Sequence, residues 1–127
     1  MAPQASNSAL LAKRLLSEGV SLIEVSRGAG EWRFDAVGQD EHTGELVLVV
    51  YYAESRPMQR TTPARALDRT ERILRDDAKT FCAAIEAYRS AYAIEPAKNV
   101  RLDILIDIVD ESTGDMASGY IKNVAAS

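Results

Sequence analysis

Residues 46–55 read LVLVVYYAES, and this stretch follows FDAV at residues 34–37. From Leu46 to Tyr52 the run is almost unbroken in branched, apolar and aromatic residues, which are typical of β-strands. A strand that is apolar on both sides is usually covered on both faces. The stretch therefore predicts a strand in the middle of a sheet, with helices on either side of that sheet.

The residues before this strand predict a helix and a hairpin. A helix begins at Asn7 or Ser8, either of which can cap it, and ends at Gly19. Two strands follow at Val20–Val25 and Glu31–Val37, separated by a glycine-containing turn. The buried strand then comes third in the predicted sheet.

The residues after it predict one long helix and a fourth strand. Thr62-Pro63 starts the helix and Pro96 ends it, because apolar residues recur between them at spacings of three, four or seven. Val100–Ile108 alternates as a strand does, which places Asp103 and Asp107 together on the face opposite to the apolar one. A short edge strand is expected within Met116–Val124.

The predicted order is α-β-β-β-α-β, which indicates an α/β (α+β) fold with a mixed central sheet flanked by helices. A chain of 127 residues is long enough for one cored domain and too short for two. We therefore expect a single domain over residues 1–127, with residues 1–6 and 125–127 flexible.

Composition narrows the class of protein. Neither an export signal nor a run of about 18 apolar residues is found, so we expect a cytoplasmic protein with no membrane contact. The single cysteine, Cys82, lies in an apolar pattern and is predicted to be a small buried residue. His42, the only histidine, lies in a polar turn and is predicted to be an exposed loop residue.

The charge is unevenly distributed along the chain. The formal net charge is −4, which argues against a surface built wholly for nucleic acid. Residues 56–75 nevertheless contain six arginines and only two acids, and Arg65, Arg69 and Arg72 share one helix face. This Arg65 to Arg75 helix face is either a partner-binding surface or, as we favour, a solvated face with interleaved acids.

Several segments fall in the order and spacing of one nuclease family. They are LLAKRLLSEGV at residues 10–20, FDAVGQDEHTGELVLVVYY at residues 34–52, the helix start at Thr62-Pro63, and VRLDILIDIVD at residues 100–110. Over roughly residues 7–110 the chain resembles the YraN-like branch of the restriction-endonuclease-like PD-(D/E)xK nucleases. The resemblance implies a three-layer restriction-endonuclease-like core and a magnesium-dependent site.

The resemblance also implies which positions should carry the chemistry. That family uses a glutamate in the first helix, an aspartate on the second strand, and a glutamate and lysine two apart on the third. Asp35 matches the aspartate, whereas Ser8, Val50 and Tyr52 fall at the other three positions. Because magnesium needs several oxygen ligands, these replacements indicate a degenerate site.

A displaced site is the alternative. Glu54 and Arg56 repeat the spacing of acid and base four positions later, so a shifted register would bring them towards Asp35 as catalytic residues. Asp35, Glu31 and Glu54 would then be the ligands of Mg²⁺ or Mn²⁺. An arginine stays protonated and cannot act as a general base. Otherwise Asp35 is a hydrogen-bonded or exposed strand residue.

Two functions follow from these patterns. The first is a non-catalytic nuclease-fold protein, a pseudoenzyme that acts as a binding or assembly module and needs no cofactor. Its partner would be another protein or a second copy, with DNA as the less favoured partner, and its contact residues would be Arg65, Arg69, Arg72 and Trp32. The second is a metal-dependent DNA endonuclease with the displaced site around Asp35 and Glu54.

Overall fold

The computed structural model describes the backbone of residues 2–126 and the side chains of residues 8–126, so the flexibility expected at Met1 and Ser127 lies outside the described residues. The elements are α1 Ala2–Ser17, β1 Val20–Ala29, β2 Trp32–Asp40, β3 Leu46–Arg56, α2 Pro63–Asp76, α3 Ala78–Ala91, β4 Val100–Asp110, β5 Met116–Ile121 and a final 3-10 turn Val124–Ala126. The predicted order is found, with the long helix divided in two. No helix in this part of the chain is long and apolar enough to cross a membrane.

The five strands form one mixed sheet in the order β1-β2-β3-β4-β5. β3 and β4 are parallel, and the other neighbouring pairs are antiparallel. A parallel pair needs a crossover connection, and α2 and α3 supply it on one face of the sheet. α1 packs on the opposite face, so the fold is α+β in three layers, as the sequence predicts.

Each face of the sheet has its own apolar core. The core under α1 consists of Leu15, Val20, Ala36, Val47, Val49 and Leu105. The core under α2 and α3 is larger, and its central members include Phe34, Leu48, Ile85, Tyr88, Ile104 and Ile106. The rings of Phe34 and Tyr88 meet edge to face with their centroids 5.7 Å apart. β3 and β4 therefore contribute to both cores, which agrees with the apolar run that begins at Leu46.

The single long helix predicted from Thr62 to Pro96 is wrong, because Asp77 divides it. Thr62 caps α2 as expected, since its hydroxyl accepts the N–H of Arg65. At Asp77 the backbone leaves the helical conformation, and the carboxylate accepts the hydroxyl of Thr80 at 2.7 Å. An aspartate offers such local hydrogen bonds, whereas the apolar spacing continues across the break and does not reveal it.

Both hairpin strands run past their predicted ends, to Ala29 and Asp40, and three further predictions on local structure differ from the fold. α1 begins at Ala2, five residues before Asn7. β3 continues to Arg56, past the expected end of the apolar run at Tyr52. Cys82 is exposed on α3 and not buried, because a helix turns by about 100° per residue and carries it away from buried Phe81.

Candidate functional site

The pairing between β2 and β3 stops halfway along β3. The β2–β3 ladder ends at the pair Ala36–Val49, whereas the β3–β4 ladder continues to Arg56–Asp110. Beyond this point the carboxylate of Asp35 accepts the backbone N–H of Tyr51 at 2.7 Å. The side chain of Asp35 therefore accepts the hydrogen bond that a backbone carbonyl of β2 would accept if the ladder continued.

An irregularity in the hairpin turns Asp35 towards α1. Phe34 packs in the core under α2 and α3, whereas Ala36, two residues later, packs in the core under α1. Residues two apart share a face in a regular strand, so the alternation is broken here. Opposite this point, on β1, Ser26 adopts a φ of 57°, a conformation that few non-glycine residues take.

Asp35 consequently lines a cleft of about 480 Å³ between α1 and the sheet. Four apolar side chains contribute to its wall, namely Leu10, Leu11, Val25 and Leu105. Six polar residues complete it, namely Ser8, Arg14, Ser26, Asp35, Tyr51 and Asp107. We call this space the α1 cleft. Ser8 and Asp35, at two positions that the nuclease resemblance singles out, both face it.

Asp107 is the most heavily hydrogen-bonded carboxylate of the cleft. One oxygen accepts the hydroxyl of Ser118 at 2.7 Å, and the other accepts the guanidinium of Arg14 and the hydroxyl of Tyr51. Burial by itself raises the pKa of Asp107, but the hydrogen bonds from Arg14, Tyr51 and Ser118 outweigh it and hold the pKa below its usual value. Asp107 is therefore ionised and fully engaged at neutral pH.

Tyr51 occupies the cleft as a neutral donor. Burial and the hydrogen bond to Asp107 raise the pKa of Tyr51 to about 12. Its hydroxyl therefore keeps its proton at neutral pH, which makes it a poor metal ligand. Val49, the previous residue on the same face of β3, offers no oxygen.

The two β3 residues that the nuclease resemblance singles out, Val50 and Tyr52, do not line the α1 cleft. Val50 and Tyr52 do not share the face of Asp35, since Val50 packs against the core under α2 and α3. The residues of β3 that do share that face are Val49 and Tyr51. Because the alternation breaks beside Asp35, the β3 residues on its face lie one position earlier than the resemblance implies. Counting along the sequence does not detect this break.

The structure does not bring the residues of the displaced site together. Glu54 lies on the same side of β3 as Tyr52 and pairs with the Nε of Arg56 at 2.8 Å, so it points away from the α1 cleft. Glu31 lies in the exposed turn between β1 and β2 and not on the strand with Asp35. Among the described side chains, no three from His, Cys, Asp and Glu are close enough to hold a metal ion.

A second polar network lies under the other end of the sheet, and its central charged groups are buried. Arg101 is 2% exposed and binds Asp40 at 2.5 Å and Asp103 at 3.0 Å. Asp103 also accepts the hydroxyl of Tyr120 at 2.6 Å and the backbone N–H of Asn123 at 2.8 Å. Within the described residues every buried side-chain nitrogen or oxygen has a partner. This network joins β2, β4 and β5 and leaves no group for a ligand.

The electrostatics of this network are those of a structural ion pair. Burial lowers the pKa of Arg101, but the hydrogen bonds to Asp103 and Asp40 outweigh it and raise the pKa above its ordinary value. The hydrogen bond from Arg101 is the main reason why the pKa of Asp40 is held well below its usual range. Both groups therefore stay charged in the folded protein.

The predicted partner-binding residues lie apart from the α1 cleft. Arg65, Arg69 and Arg72 are exposed on α2, and Arg72 pairs with Asp68 at 2.8 Å. Trp32 is half-buried and packs against the core under α2 and α3, so most of its ring is committed to the fold. His42 is exposed in the turn between β2 and β3, as expected.

Sequence reasoning missed Arg14 and Tyr51, the two groups that occupy the cleft beside Asp107. One signal was present, since two aspartates on one face of an otherwise apolar strand must find partners if that face is buried. Asp103 and Asp107 do share that face. The partners come from distant elements, however, and spacing along the chain does not identify them.

Comparison of the chain with models of protein families, with curated proteins and with solved structures found no significant match in any of the three. The nuclease resemblance therefore stays an expectation.

Proposed function

We propose that this protein is a non-catalytic binding or assembly module on a nuclease-like scaffold. The network of Arg14, Tyr51 and Asp107 is the observation that carries the proposal. A divalent cation beside Asp35 would need further oxygen ligands. Asp107 is the other carboxylate in the cleft, and a cation would have to displace the guanidinium that already neutralises it.

The proposal also places a protein, or a second copy, ahead of nucleic acid as the partner. The chain carries a net charge of −4, and the described residues that line the α1 cleft include two carboxylates and one guanidinium. Such a surface does not attract phosphates. A cytoplasmic location is part of the proposal, because the exposed free thiol of Cys82 suits a reducing compartment.

DNA is the second candidate partner, through the face of α2 that carries Arg65, Arg69 and Arg72. The specific observation in its favour is that all three side chains are exposed. Arg72 is already paired with Asp68, however, so the positive potential of this face is reduced. The surface resembles a solvated helix more than a built phosphate site.

A cleavage assay tests the absence of catalysis. Linear and supercoiled DNA are incubated with the protein and either Mg²⁺ or Mn²⁺, and the products are separated on gels. We expect no metal-dependent cutting above that of a mock preparation. Cutting by the wild-type chain that disappears in Asp35→Ala would contradict the proposal.

Glu54→Ala is the matched control in this assay. Glu54 lies on the opposite face from Asp35 and pairs with Arg56, so it takes no part in the α1 cleft. Cutting that survives in both variants and is matched by the mock preparation comes from a contaminating nuclease. Cutting lost in both variants would indicate the displaced site and would also contradict the proposal.

A further inference from the structure

The second half of β3 is an open edge in the middle of the sheet. On one side, residues Tyr51–Arg56 pair with β4. On the other side, the ladder with β2 has ended at Val49, and within the described chain no strand takes its place. Tyr51 and Tyr52 are 40% and 37% exposed, and Ala53 and Ser55 are exposed as well. We call residues Tyr51–Arg56 the open edge.

The backbone of the open edge has hydrogen-bonding groups that point into this gap. The N–H of Tyr51 points towards β2, where Asp35 accepts it. The C=O of Arg56 points the other way and accepts the N–H of Glu111. Because successive residues of a strand point their backbone groups to opposite sides, Ala53 and Ser55 present both N–H and C=O to the gap.

The side chains around the open edge suit a strand added there. Tyr51 borders the α1 cleft, so a residue of an added strand that points towards α1 would lie next to this cleft. The cleft has the apolar wall of Leu10, Leu11, Val25 and Leu105. Its volume of about 480 Å³ is in the range of ligand pockets in general.

We propose that the open edge of β3 binds an extended segment of a partner protein by strand addition, with an apolar side chain of that segment in the α1 cleft. In this mode the main chain supplies affinity and the pocket for alternate side chains supplies specificity. The inference rests on the proposed function, because it names the partner class of a binding module.

Hydrogen-bond chemistry favours a polypeptide over a nucleic acid at this edge. Ala53 and Ser55 present donors and acceptors in alternation, which a second polypeptide backbone matches group for group. A phosphodiester backbone only accepts hydrogen bonds, so it would leave the C=O groups unsatisfied. The carboxylate of Asp35 at the start of the gap would also repel phosphate.

The two outer strand edges of a second copy are poorly suited to pair with the open edge. β1, one outer edge, has a register shift between Leu22 and Glu24 and a left-handed residue at Ser26. β5, the other outer edge, is only six residues long. Bulges and short strands are the means by which proteins prevent pairing at a sheet edge. A separate extended segment therefore fits better than either outer edge, and the oligomeric state of the wild type tests whether two open edges pair with each other.

Selection from a random peptide library displayed on phage tests the proposal on the full chain. We expect enriched peptides in which apolar residues alternate with polar ones. Ala53→Pro removes the N–H that points into the gap but no bond to β4, so a proline is tolerated there. Synthetic copies of the enriched peptides should have an affinity for Ala53→Pro that is lower by about tenfold or more. Their affinity for the control Ala53→Val should equal their affinity for the wild type.

Two further variants make the test independent of how well Ala53→Pro folds. Ser55→Pro removes the next N–H that faces the gap. Circular dichroism checks that both proline variants are folded. Leu10→Glu changes a cleft residue that is 60% exposed and leaves the β3 backbone intact. It should weaken the binding of only those peptides that have an apolar side chain for the α1 cleft.

Three results would overturn the inference. One is the failure of any peptide to enrich on the wild type beyond the level seen on Ala53→Pro. The second is equal affinity of the enriched peptides for the wild type and both proline variants. The third is a dimer of the wild type, seen by light scattering, that Ala53→Pro converts to a monomer, since a second copy would then occupy the edge. Metal-dependent cleavage would instead contradict the proposed function, so the two failures are distinguishable.

Discussion

The backbone N–H of Tyr51 donates to the carboxylate of Asp35 at 2.7 Å, at the point where β2 and β3 stop pairing. The carboxylate of Asp35 therefore takes the place of the backbone acceptor that a continuing β2 would supply. The same separation of β2 from β3 exposes the open edge and the mouth of the α1 cleft. The local fold around Asp35 and the proposed binding at the open edge thus depend on the same irregularity in the β1–β2 hairpin.

The hydroxyl of Tyr51 should titrate well above an ordinary tyrosine. Burial and Asp107 raise its pKa from 10.0 to about 12, so the folded state holds this proton more tightly than the unfolded state. The associated stability is present below pH 10 and is lost as the pH rises towards 12. The phenolate absorbance of the wild type minus that of Tyr51→Phe measures this one group. A midpoint near pH 10 would show that the contact with Asp107 does not form.

Replacing Arg101 should destabilise the protein strongly. Arg101→Met removes the buried counter-charge of Asp40 and Asp103 and leaves Asp40 only the exposed Lys122 at 3.7 Å, and breaking a buried pair typically costs about 3–5 kcal/mol. Chemical unfolding in urea measures the loss. The control Arg65→Met changes an exposed arginine and should alter the free energy of unfolding by less than about 0.5 kcal/mol. Equal effects of the two substitutions would contradict the buried network.

Gly38 should not tolerate a side chain. A Cβ at this position would lie 2.6 Å from Cγ1 of Val20 and 2.7 Å from the carbonyl oxygen of Ser21, so β1 and β2 would have to separate. Gly38→Ala should lower the free energy of unfolding by about 1–3 kcal/mol, as overpacking does. Gly28→Ala is the matched control, because its Cβ would meet only the carbonyl oxygen of Trp32, at 3.6 Å. Similar urea midpoints for both variants would contradict this packing.

The affinity for a short DNA duplex, measured at two salt concentrations, should depend little on the arginines of α2. We expect weak binding with a shallow salt dependence, nearly the same in the triple variant Arg65→Glu, Arg69→Glu, Arg72→Glu. Each phosphate contact contributes about 0.9 to the slope of log affinity against log salt. A steep slope that falls by about 3 in the triple variant would show that DNA is the partner of this face.

The layers of the fold could be predicted from the sequence because local patterns determine them. The apolar run from Leu46 marked the central strand, and the alternation in Val100–Ile108 correctly placed Asp103 and Asp107 on one face. The break at Asp77 was missed, because it interrupts the helix at a single residue and leaves the apolar spacing intact. Periodicity reports burial along an element, and it does not report where a hydrogen bond interrupts that element.

The site could be predicted only in part. Asp35 does face a cleft beside β3, but its neighbours on β3 are Val49 and Tyr51 and not Val50 and Tyr52. The irregularity between Phe34 and Ala36 decides which face of the sheet Asp35 occupies. The regular alternation of a strand, on which the sequence prediction relied, does not anticipate it. Arg14 reaches Asp107 across 93 positions of the sequence, and such a contact follows from the packing of α1 on the sheet.

Calorimetric titration with Mn²⁺ at neutral pH tests most directly whether the α1 cleft is a metal centre. We expect no saturable binding, and the same heats for the wild type and Asp35→Ala, because Arg14 and Tyr51 already engage Asp107. Saturable binding of one Mn²⁺ per chain that is lost in Asp35→Ala would instead indicate a working metal site and would contradict a non-catalytic cleft.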